Sequence, residues 1–391
     1  MEKRDSSLQS FDYLLILRGA CAFAVVLRNY PFEFYTALGT SHLEWLLRPF
    51  GYIPVLVFFC LSGFLITQNF ILGRYEPGSV LGVWGYYRNR ALRVLPLYYF
   101  SILACLLIYW PESFYRWDEV LALFGFVGAY KIDGGIIFNH VYWSLPVEVA
   151  FFVLAPVLFF FMRWLCLSLG ALGALLFIIL AYFIYSAIVF WDIPYDDGFL
   201  MSRVIWNRLA HHDVIYNFEV FLLGGIAAFY VNGQSRRGTV RGQLFFKVSL
   251  ASLILLMFAR TGIVGDALFQ KGKVDAFTLY LLLPLLGLWF LGFTMLYAKP
   301  QLIRVSRIGL LFRRALEALG HWSYGVYLFH MPILSIVEKF DILSGSAYQN
   351  SVMSFLALIC VIAFSAMTYR LIEKPVMRFR MRSGHLVSSS A

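Results

Sequence analysis

Three polar residues with a defined spacing interrupt the first apolar stretch of the sequence, namely Arg18, Arg28 and Asn29. A charged side chain inside a membrane-spanning helix is unfavourable by several kcal/mol unless it is paired or hydrated, so each is a candidate functional group. Eleven residues separate Arg18 from Asn29, which is about three helical turns, so the two share a face and lie roughly 16 Å apart. We expect Arg28, about 100° away on the helix, to anchor it at the membrane surface, an exit that Arg18 does not have close by.

A second group of polar residues is the arginine cluster in YYRNRALRVLPLYY, where Arg88, Arg90 and Arg93 fall within six residues. Membrane insertion accounts for some positive charge at a cytoplasmic boundary. Guanidinium groups also hold phosphate oxygens through paired, charge-assisted hydrogen bonds. Three arginines beside aromatic residues therefore predict a phosphate site at the entrance to the third apolar stretch.

A carboxylate opens another apolar stretch in WSLPVEVAFFVLAP, where Glu148 follows Trp143 and Ser144. Facing the interior of a helical bundle, Glu148 could pair with Arg18 or act as an acid or base in a site of low dielectric. The ordered approach that Trp143 and Ser144 form favours a functional role over simple capping of the helix.

Two further stretches place small or polar residues inside predicted spans. Ser62 and Gly63 in FFCLSGFLIT allow a helix or a ligand to approach closely, although helix packing alone explains such a pair as well. Tyr324 and His330 lie together in LGHWSYGVYLFHMPIL. A lone histidine in a membrane helix is often only a hydrogen-bonded packing group, but with a row of tyrosines it indicates the lining of a polar channel.

The elements that must position these residues are membrane helices. The chain of 391 residues is 61% hydrophobic and only 14% charged, which is far from the average of soluble domains. Apolar runs of roughly 20 residues, long enough to cross a bilayer, recur along it. The sequence predicts an all-α, polytopic helical bundle with ten spans, near 12–32, 50–71, 93–110, 147–162, 168–190, 216–231, 244–260, 277–298, 319–337 and 348–371.

The charge distribution predicts which way the bundle is inserted. With both termini in the cytoplasm, about two thirds of the 32 lysines and arginines fall in cytoplasmic segments, as the positive-inside rule requires. The apolar piece at 120–130 is too short to cross, so we expect a re-entrant or peripheral segment near 120–146. The net charge of +10 then reflects insertion and contact with anionic membrane lipids, and it does not predict nucleic acid binding.

Metal and disulfide chemistry are not predicted. The five cysteines are scattered among the apolar stretches, which argues against both a disulfide framework and a metal cluster. His211, His212 and Asp213 form a compact group, but no second set of ligands follows at a regular spacing, so a solvated outer loop is the better interpretation.

Taken in order, the motifs of this sequence resemble the acyltransferase-3 family, bacterial membrane proteins that O-acylate surface and exported polysaccharides. The resemblance covers residues from about 11 to 378 and rests on LRGACAFAVVL, FFCLSGFLIT, RNRALRVLPLYY, WSLPVEVAFFVLAP, LGHWSYGVYLFHMP and IEKPVMR. It implies one acyltransferase membrane domain at 1–378 and a cytoplasmic tail at 379–391. Some family members carry an additional periplasmic esterase-like domain, and we expect this chain to be of the single-domain exopolysaccharide acetyltransferase type.

The resemblance also implies a reaction and a location. Cytosolic acetyl-CoA would be the acyl donor, with no metal, and a sugar hydroxyl of an exported polysaccharide or lipid-linked oligosaccharide would be the acceptor on the outer side of the bacterial inner membrane. By this analogy the arginine cluster would hold the phosphates of CoA. The uncharged arm of CoA would pass Ser62, Gly63 and Arg18, while Glu148 and the residue at position 29 would serve the chemistry.

Position 29 departs from the family pattern, in which a histidine acting as the catalytic base follows the helix-one arginine by eleven residues. Asn29 cannot accept a proton near neutral pH. Three interpretations remain open. The chain is an engineered variant with its base removed; it is a natural member that uses another base, from His140, His330 or the pair His211 and His212; or it is a relative without catalysis.

Two other classes of protein share some of these features. A transporter or flippase of a lipid-linked saccharide would also have many helices with inward-facing polar residues, but it does not need a phosphate-binding arginine cluster. An intramembrane serine protease using Ser62 with His330 is disfavoured, because CLSGF lacks the glycine two residues before the serine that such proteases show. Direct binding of CoA distinguishes the acyltransferase from both.

Overall fold

The computed structural model describes residues 8–29, 52–126, 139–191, 214–233, 239–259, 271–297, 301–304, 306–339 and 347–380. Helices make up nearly all of the described chain. They are α1 (Tyr13–Asn29), α2 (Tyr52–Ile71), α3 (Val80–Ile108), α4 (Glu112–Tyr115), α5 (Trp117–Phe124), α6 (Ser144–Trp191), α7 (Val214–Gly233), α8 (Thr239–Ala259), α9 (Lys271–Tyr297), α10 (Arg307–Lys339), α11 (Ala347–Thr368) and α12 (Lys374–Val376). Short 3-10 turns at His140–Trp143 and Met377–Phe379 and a π-helical turn at Tyr369–Glu373 complete the helical segments.

Among the described residues, four segments are long and apolar enough to cross a membrane: Ile53–Ile71, Val80–Ile108, Val141–Tyr185 and Val352–Phe379. Gly242–Leu255 and Leu282–Tyr297 are shorter apolar helices. The all-helical membrane character predicted from composition agrees with this architecture. The count of ten spans and the cytoplasmic placement of both termini remain predictions.

The helix boundaries differ most from the predicted spans at three places. Helices α3 and α10 begin at Val80 and Arg307, well before the predicted starts at 93 and 319, because a hydropathy window rejects charged residues that a helix tolerates. The predicted spans 147–162 and 168–190 belong to the single element α6, broken at Gly170, whose φ of 71° and ψ of 163° lie outside the helical region. Residues other than glycine rarely adopt such a φ, because their Cβ atom clashes with the backbone, so glycine is suited to this break.

The described chain also contains a two-stranded antiparallel ribbon that the all-α prediction did not include. Strand β1 (Leu8–Phe11) pairs with β2 (Gln301–Arg304), with Leu8 opposite Arg304 and Phe11 opposite Gln301. Each strand directly precedes a long helix, α1 or α10. The ribbon therefore holds the beginnings of these two helices together.

Helices α1 and α10 run parallel and in close contact. A Cβ atom on Gly19 would lie 2.0 Å from Leu316 O, and one on Gly320 would lie 2.2 Å from Leu15 O. Only glycine permits backbones to approach so closely. This packing carries the end of α1 to the middle of α10, which places Asn29 beside a residue about 300 positions later in the chain.

Helix α3 and the first half of α6 run antiparallel. The Tyr86 hydroxyl donates to Phe152 O over 3.1 Å, and the rings of Tyr98 and Tyr142 meet at 5.5 Å. The short helices α4 and α5 lie in the connection between α3 and α6, and α5, with eight residues, is about 12 Å long and too short to span a bilayer. Residues 127–138 of the predicted peripheral segment lie outside the described chain.

Candidate active site

A cavity of about 200 Å³ lies between α1, α2, α3, α6 and α10. Along α2 it extends from Val55 to Asn69, which corresponds to roughly 21 Å at about 1.5 Å per residue. The cavity is therefore long and narrow, and its two ends lie at opposite ends of α2. The polar residues that line it are Arg18, Ser62, Gln68, Asn69, Arg74, Arg90, Arg93, Ser144, Glu148, Ser323, Tyr324 and Tyr327.

One end of the cavity is strongly positive, at the C-terminal end of α2 and the N-terminal half of α3. The positive charges of Arg18, Arg90 and Arg380 repel the Arg93 guanidinium, and the negative charge of Glu373 attracts it. Burial, and then the charge of Arg90, lower the pKa of the Arg380 guanidinium from its ordinary value. Like charges held together with little solvent favour a bound anion that can pair with them.

Aromatic and amide groups fix two of the arginines at this end. The Arg90 guanidinium lies 5.1 Å from the ring centre of Phe152 and 5.9 Å from that of Tyr86, within the range of cation–π attraction. Arg74 donates a hydrogen bond to Asn69 Oδ1 over 3.0 Å. These contacts orient the two guanidinium groups beside the cavity.

Arg88 does not line the cavity with Arg90 and Arg93. Residues two positions apart point about 200° apart on a helix, whereas residues three apart share a face. Because Arg88, Arg90 and Arg93 all lie inside α3, helix phase separates the first from the other two.

A carboxylate and a hydroxyl meet partway along the cavity. Ser62 Oγ donates to Glu148 Oε1 over 3.2 Å, joining α2 to α6. The charges of Arg18, Arg90 and Arg93 all attract Glu148. Among the described residues that line the cavity, Glu148 is the one carboxylate, and it faces the arginines.

The other end of the cavity is uncharged and lined by hydroxyl groups and aromatic rings. Ser144 Oγ lies 2.7 Å from Tyr327 Oη, and both oxygens are within hydrogen-bond distance of Val141 O, at 3.2 and 3.0 Å. Trp143 lies behind this wall, with its ring 6.3 Å edge-on from that of Phe59. Tyr324 also lines the cavity and donates to Val94 O over 3.0 Å, which ties α10 to α3.

Asn29 and His330 are in direct contact beyond this uncharged end. Asn29 Nδ2 lies 3.1 Å from His330 Nε2. His330 is fully buried, whereas Asn29 is exposed. Neither side chain lines the cavity itself, but Tyr327, one helical turn before His330, does.

Comparison with known proteins assigns the family. The model of the acyltransferase domain (Acyl_transf_3) matches residues 11–370. The chain belongs to this acyltransferase family. The family resemblance seen in the motifs is thereby confirmed.

Curated relatives of this chain are bacterial. OatA of Listeria monocytogenes, a peptidoglycan O-acetyltransferase, is 24% identical over 363 residues, which cover 86% of this chain and 53% of the relative. The O-acetyltransferase OatA of Staphylococcus aureus is 24% identical over 417 residues, covering 96% of this chain and 59% of the relative. YrhL of Bacillus subtilis, named as a candidate peptidoglycan O-acetyltransferase, is 25% identical over 396 residues, which cover 96% of this chain and 56% of the relative.

The chain thus spans little more than half the length of these curated relatives. No solved structure matches it. The family match over residues 11–370 covers the helical segments that build the cavity.

Gly63 lies on the opposite side of α2 from the cavity. A Cβ atom there would lie 2.0 Å from Phe221 O, and one on Gly224 would lie 2.0 Å from Cys60 O. Gly63 therefore serves the close crossing of α2 and α7. The neighbouring Ser62 faces the cavity.

Several site residues were not identified from the sequence. Gln68, Asn69 and Ser323 line the cavity, and ordinary polar residues near the end of an apolar run give no signal of this. Glu373 is buried near Arg93, and its Oε1 has no hydrogen-bond partner among the described residues. Its place in IEKPVMR, one of the motifs of the family resemblance, could have indicated it.

Two alternatives for the catalytic base are not tested by the structure. His211 and His212 lie outside the described residues, and the His140 side chain is likewise not described. Within the described part of the chain, no group of three or more His, Cys, Asp or Glu side chains could hold a metal ion.

Proposed function

We propose that this chain is a multi-pass O-acetyltransferase of a bacterial inner membrane. It takes an acetyl group from cytosolic acetyl-CoA and passes it to a sugar hydroxyl of an exported or lipid-linked polysaccharide on the outer side. The observation that carries this proposal is the long cavity between α1, α2, α3, α6 and α10, with clustered arginines at one end and hydroxyl groups at the other.

The donor end of the proposed site is the positive one. Arg90 and Arg93 would bind phosphate oxygens of CoA, with Arg74 beside them at the mouth, because guanidinium groups pair with phosphate through charge-assisted hydrogen bonds. A phosphate-bearing ligand would relieve the repulsion that Arg93 experiences from Arg18, Arg90 and Arg380. The uncharged arm of CoA would follow the narrow part of the cavity past Ser62.

The acceptor end is the uncharged one, near Ser144 and Tyr327. There the acyl carbonyl would meet the hydroxyl that attacks it, and hydroxyl donors can stabilise the oxyanion that forms on the carbonyl. The curated relatives are named as O-acetyltransferases, two of them acting on peptidoglycan. A glycan hydroxyl is accordingly the acceptor we propose, and peptidoglycan joins exported polysaccharides among the glycans to be tested.

The decisive experiment combines a binding and a turnover measurement on the purified, detergent-solubilised chain. Calorimetry measures CoA binding. Turnover is followed as thiol release from acetyl-CoA and as acetylation of the glycan by mass spectrometry, with peptidoglycan fragments and exopolysaccharide oligosaccharides as acceptors. We expect the chain to bind CoA. We also expect thiol release to require a glycan, with the amount of thiol released equal to the amount of glycan acetylated. Propionyl-CoA, tested in parallel, reports on the size of the acyl group.

Two outcomes would count against the proposal. A chain that binds a lipid-linked saccharide but not CoA would favour the transporter or flippase. Thiol release without any acetylated glycan would mean that water is the only acceptor, and the transferase function would be lost.

A further inference from the structure

The contact between Asn29 and His330 joins the end of α1 to the middle of α10. Asn29 Nδ2 lies 3.0 Å from Val25 O and 3.1 Å from His330 Nε2. The two hydrogens of this amide nitrogen therefore both have acceptors. The amide is oriented by its nitrogen, and its Oδ1 is the atom left to accept a hydrogen bond from a ligand.

Hydrogen bonding also fixes the tautomer of His330. Its Nδ1 lies 3.1 Å from Val326 O and 2.9 Å from Tyr327 O. A carbonyl oxygen only accepts hydrogen bonds, so Nδ1 carries the proton of the neutral ring, and Nε2 is the unprotonated nitrogen that accepts from Asn29. An imidazole held with its proton on Nδ1 presents a basic Nε2, which is the arrangement of a general base.

His330 is also placed at the correct end of the cavity. Tyr327, whose carbonyl accepts from His330 Nδ1, lines the uncharged end together with Ser144. His330 follows Tyr327 by three residues, about 4.5 Å along the helix axis. The basic nitrogen thus lies just beyond the point where the cavity ends, away from the arginines.

Glu148, the other candidate for a base, is less suited to this role. Three arginine charges attract it and Ser62 donates a hydrogen bond to it, so the carboxylate already has partners within the cavity. Its position partway along the cavity, facing the positive end, also separates it from the proposed acceptor end. The geometry therefore favours the histidine.

We propose that His330 is the general base of the reaction and that Asn29 positions the acceptor hydroxyl for it. The proposal rests on the acetyl-transfer function proposed above. The incoming hydroxyl replaces the Asn29 amide as hydrogen-bond donor to Nε2, and the displaced Nδ2 of Asn29, which is exposed at the last turn of α1, donates to the oxygen of that hydroxyl.

The step balances without any further reactant. Nε2 takes the hydroxyl proton while the oxygen forms a bond to the thioester carbonyl carbon, and the carbon–sulfur bond then breaks. The thiolate that leaves receives the proton held by His330. The products are the acetyl ester and CoA with a free thiol.

The experiment measures turnover and CoA binding for a set of variants at these two positions. We expect the unmodified chain to be active, His330→Asn to lose turnover by about a hundredfold or more, and Asn29→Ala to lose about tenfold. The reciprocal double variant Asn29→His/His330→Asn should recover much of the lost turnover, because it returns an imidazole to the other side of the same contact. CoA binding should stay within twofold in every variant, as in His321→Gln, the control at an exposed histidine of α10.

The outcomes separate this proposal from the proposed function. Turnover that is absent from the unmodified chain and appears in Asn29→His would overturn the role of His330 and leave the acetyltransferase intact, as would a fully active His330→Asn. Absence of both CoA binding and turnover from all forms would overturn the proposed function itself. If His330→Asn does not fold, variants at the exposed position 29 still test the proposal. An unmodified chain without turnover, compared with an Asn29→His variant that has turnover, contradicts it.

Discussion

At the scale of single residues, the cavity holds one carboxylate close to several arginines, and a bound phosphate would compete with this carboxylate for the same guanidinium groups. Arg93 and its neighbouring arginines repel one another, and Glu148 attracts Arg18, Arg90 and Arg93. A bound phosphate would take the place of the carboxylate as the partner of these guanidinium groups. Removing a positive charge and removing the negative charge should therefore change CoA affinity in opposite directions.

Arg93→Ala and Glu148→Gln test this competition. A charge-assisted hydrogen bond contributes about 1.5–3 kcal/mol, so we expect Arg93→Ala to weaken CoA binding by about tenfold or more. Glu148→Gln keeps the shape of the side chain and should leave the affinity unchanged or make it tighter. Calorimetry at two salt concentrations measures both, with Arg314→Ala, an exposed arginine of α10, as the charge-matched control.

A result in which Arg93→Ala binds CoA as well as Arg314→Ala does would remove the arginine end from the binding site. Weaker binding by Glu148→Gln would mean that the carboxylate helps to hold the ligand, contrary to the competition described above. Arg88→Ala adds a further comparison, since Arg88 lies outside the cavity lining and should resemble the control.

Which site residues the sequence can predict depends on their surroundings. Arg18 and Glu148 stand out because a charge in an apolar stretch is costly, and both line the cavity. The difference between Arg88 and Arg93 depends on helix phase, which cannot be assigned until the start of α3 is known. The contact of Asn29 with His330 joins residues 301 positions apart, and no local pattern encodes it.

At the scale of the elements, glycines determine how closely the helices around the cavity approach. Gly63 on α2 and Gly224 on α7 lie where the two backbones cross, and a Cβ atom at either would come within 2.0 Å of a carbonyl oxygen of the other helix. Because the opposite side of α2 forms the cavity wall, this crossing sets the position of Ser62. The sequence singled out Gly63 as a site of close approach but could not decide between a helix and a ligand.

Gly63→Ala should lower the thermal stability of the protein. The added methyl group meets backbone atoms, which cannot rotate away, so α2 and α7 must separate, and overpacking of this kind is unfavourable by roughly 1–3 kcal/mol. The midpoint of thermal unfolding in detergent is the measurement. Gly78→Ala is the matched control, because its Cβ would meet only Phe160 Cζ at 3.9 Å. Equal midpoints for the two variants would contradict the tight crossing.

The boundaries of the elements follow hydropathy only where the helix and the apolar run coincide. The predicted start of α2, at 50, lies close to the observed start at Tyr52, because the whole helix is apolar. Helix α10 begins with Arg307 and carries Arg313 and Arg314. These charges lower the mean hydropathy of its first turns, so hydropathy does not predict where the helix begins. The β1–β2 ribbon is only four residues per strand and pairs segments almost 300 positions apart, which explains why the sequence did not predict it.

At the scale of the whole molecule, the relative directions of the helices bear on how the chain crosses the membrane. Helix α3 and the first half of α6 are antiparallel neighbours, since Tyr86 bonds to Phe152 while Tyr98 lies against Tyr142. The connection from Ile108 to Ser144 therefore begins and ends at the same face of the bundle. The peripheral segment near 120–146 remains a prediction; one additional crossing there would have made the two helices parallel.

Cysteine labelling of intact cells tests the resulting topology of ten crossings. Cysteines are introduced one at a time, at Gly78, Tyr115 and Arg378, into a protein in which Cys166 and Cys360 are replaced by alanine. Intact cells are then treated with a maleimide that cannot cross membranes. Eight predicted crossings separate Gly78 from Arg378, an even number, so both should be protected in intact cells and react only after the membrane is opened. Tyr115, which is 82% exposed and follows α3, should react from outside. Labelling of Arg378→Cys together with Tyr115→Cys would require an odd number of crossings after Gly78. It would also place the last described segment, and Glu373 near Arg93, on the outer side, where cytosolic CoA could not reach them.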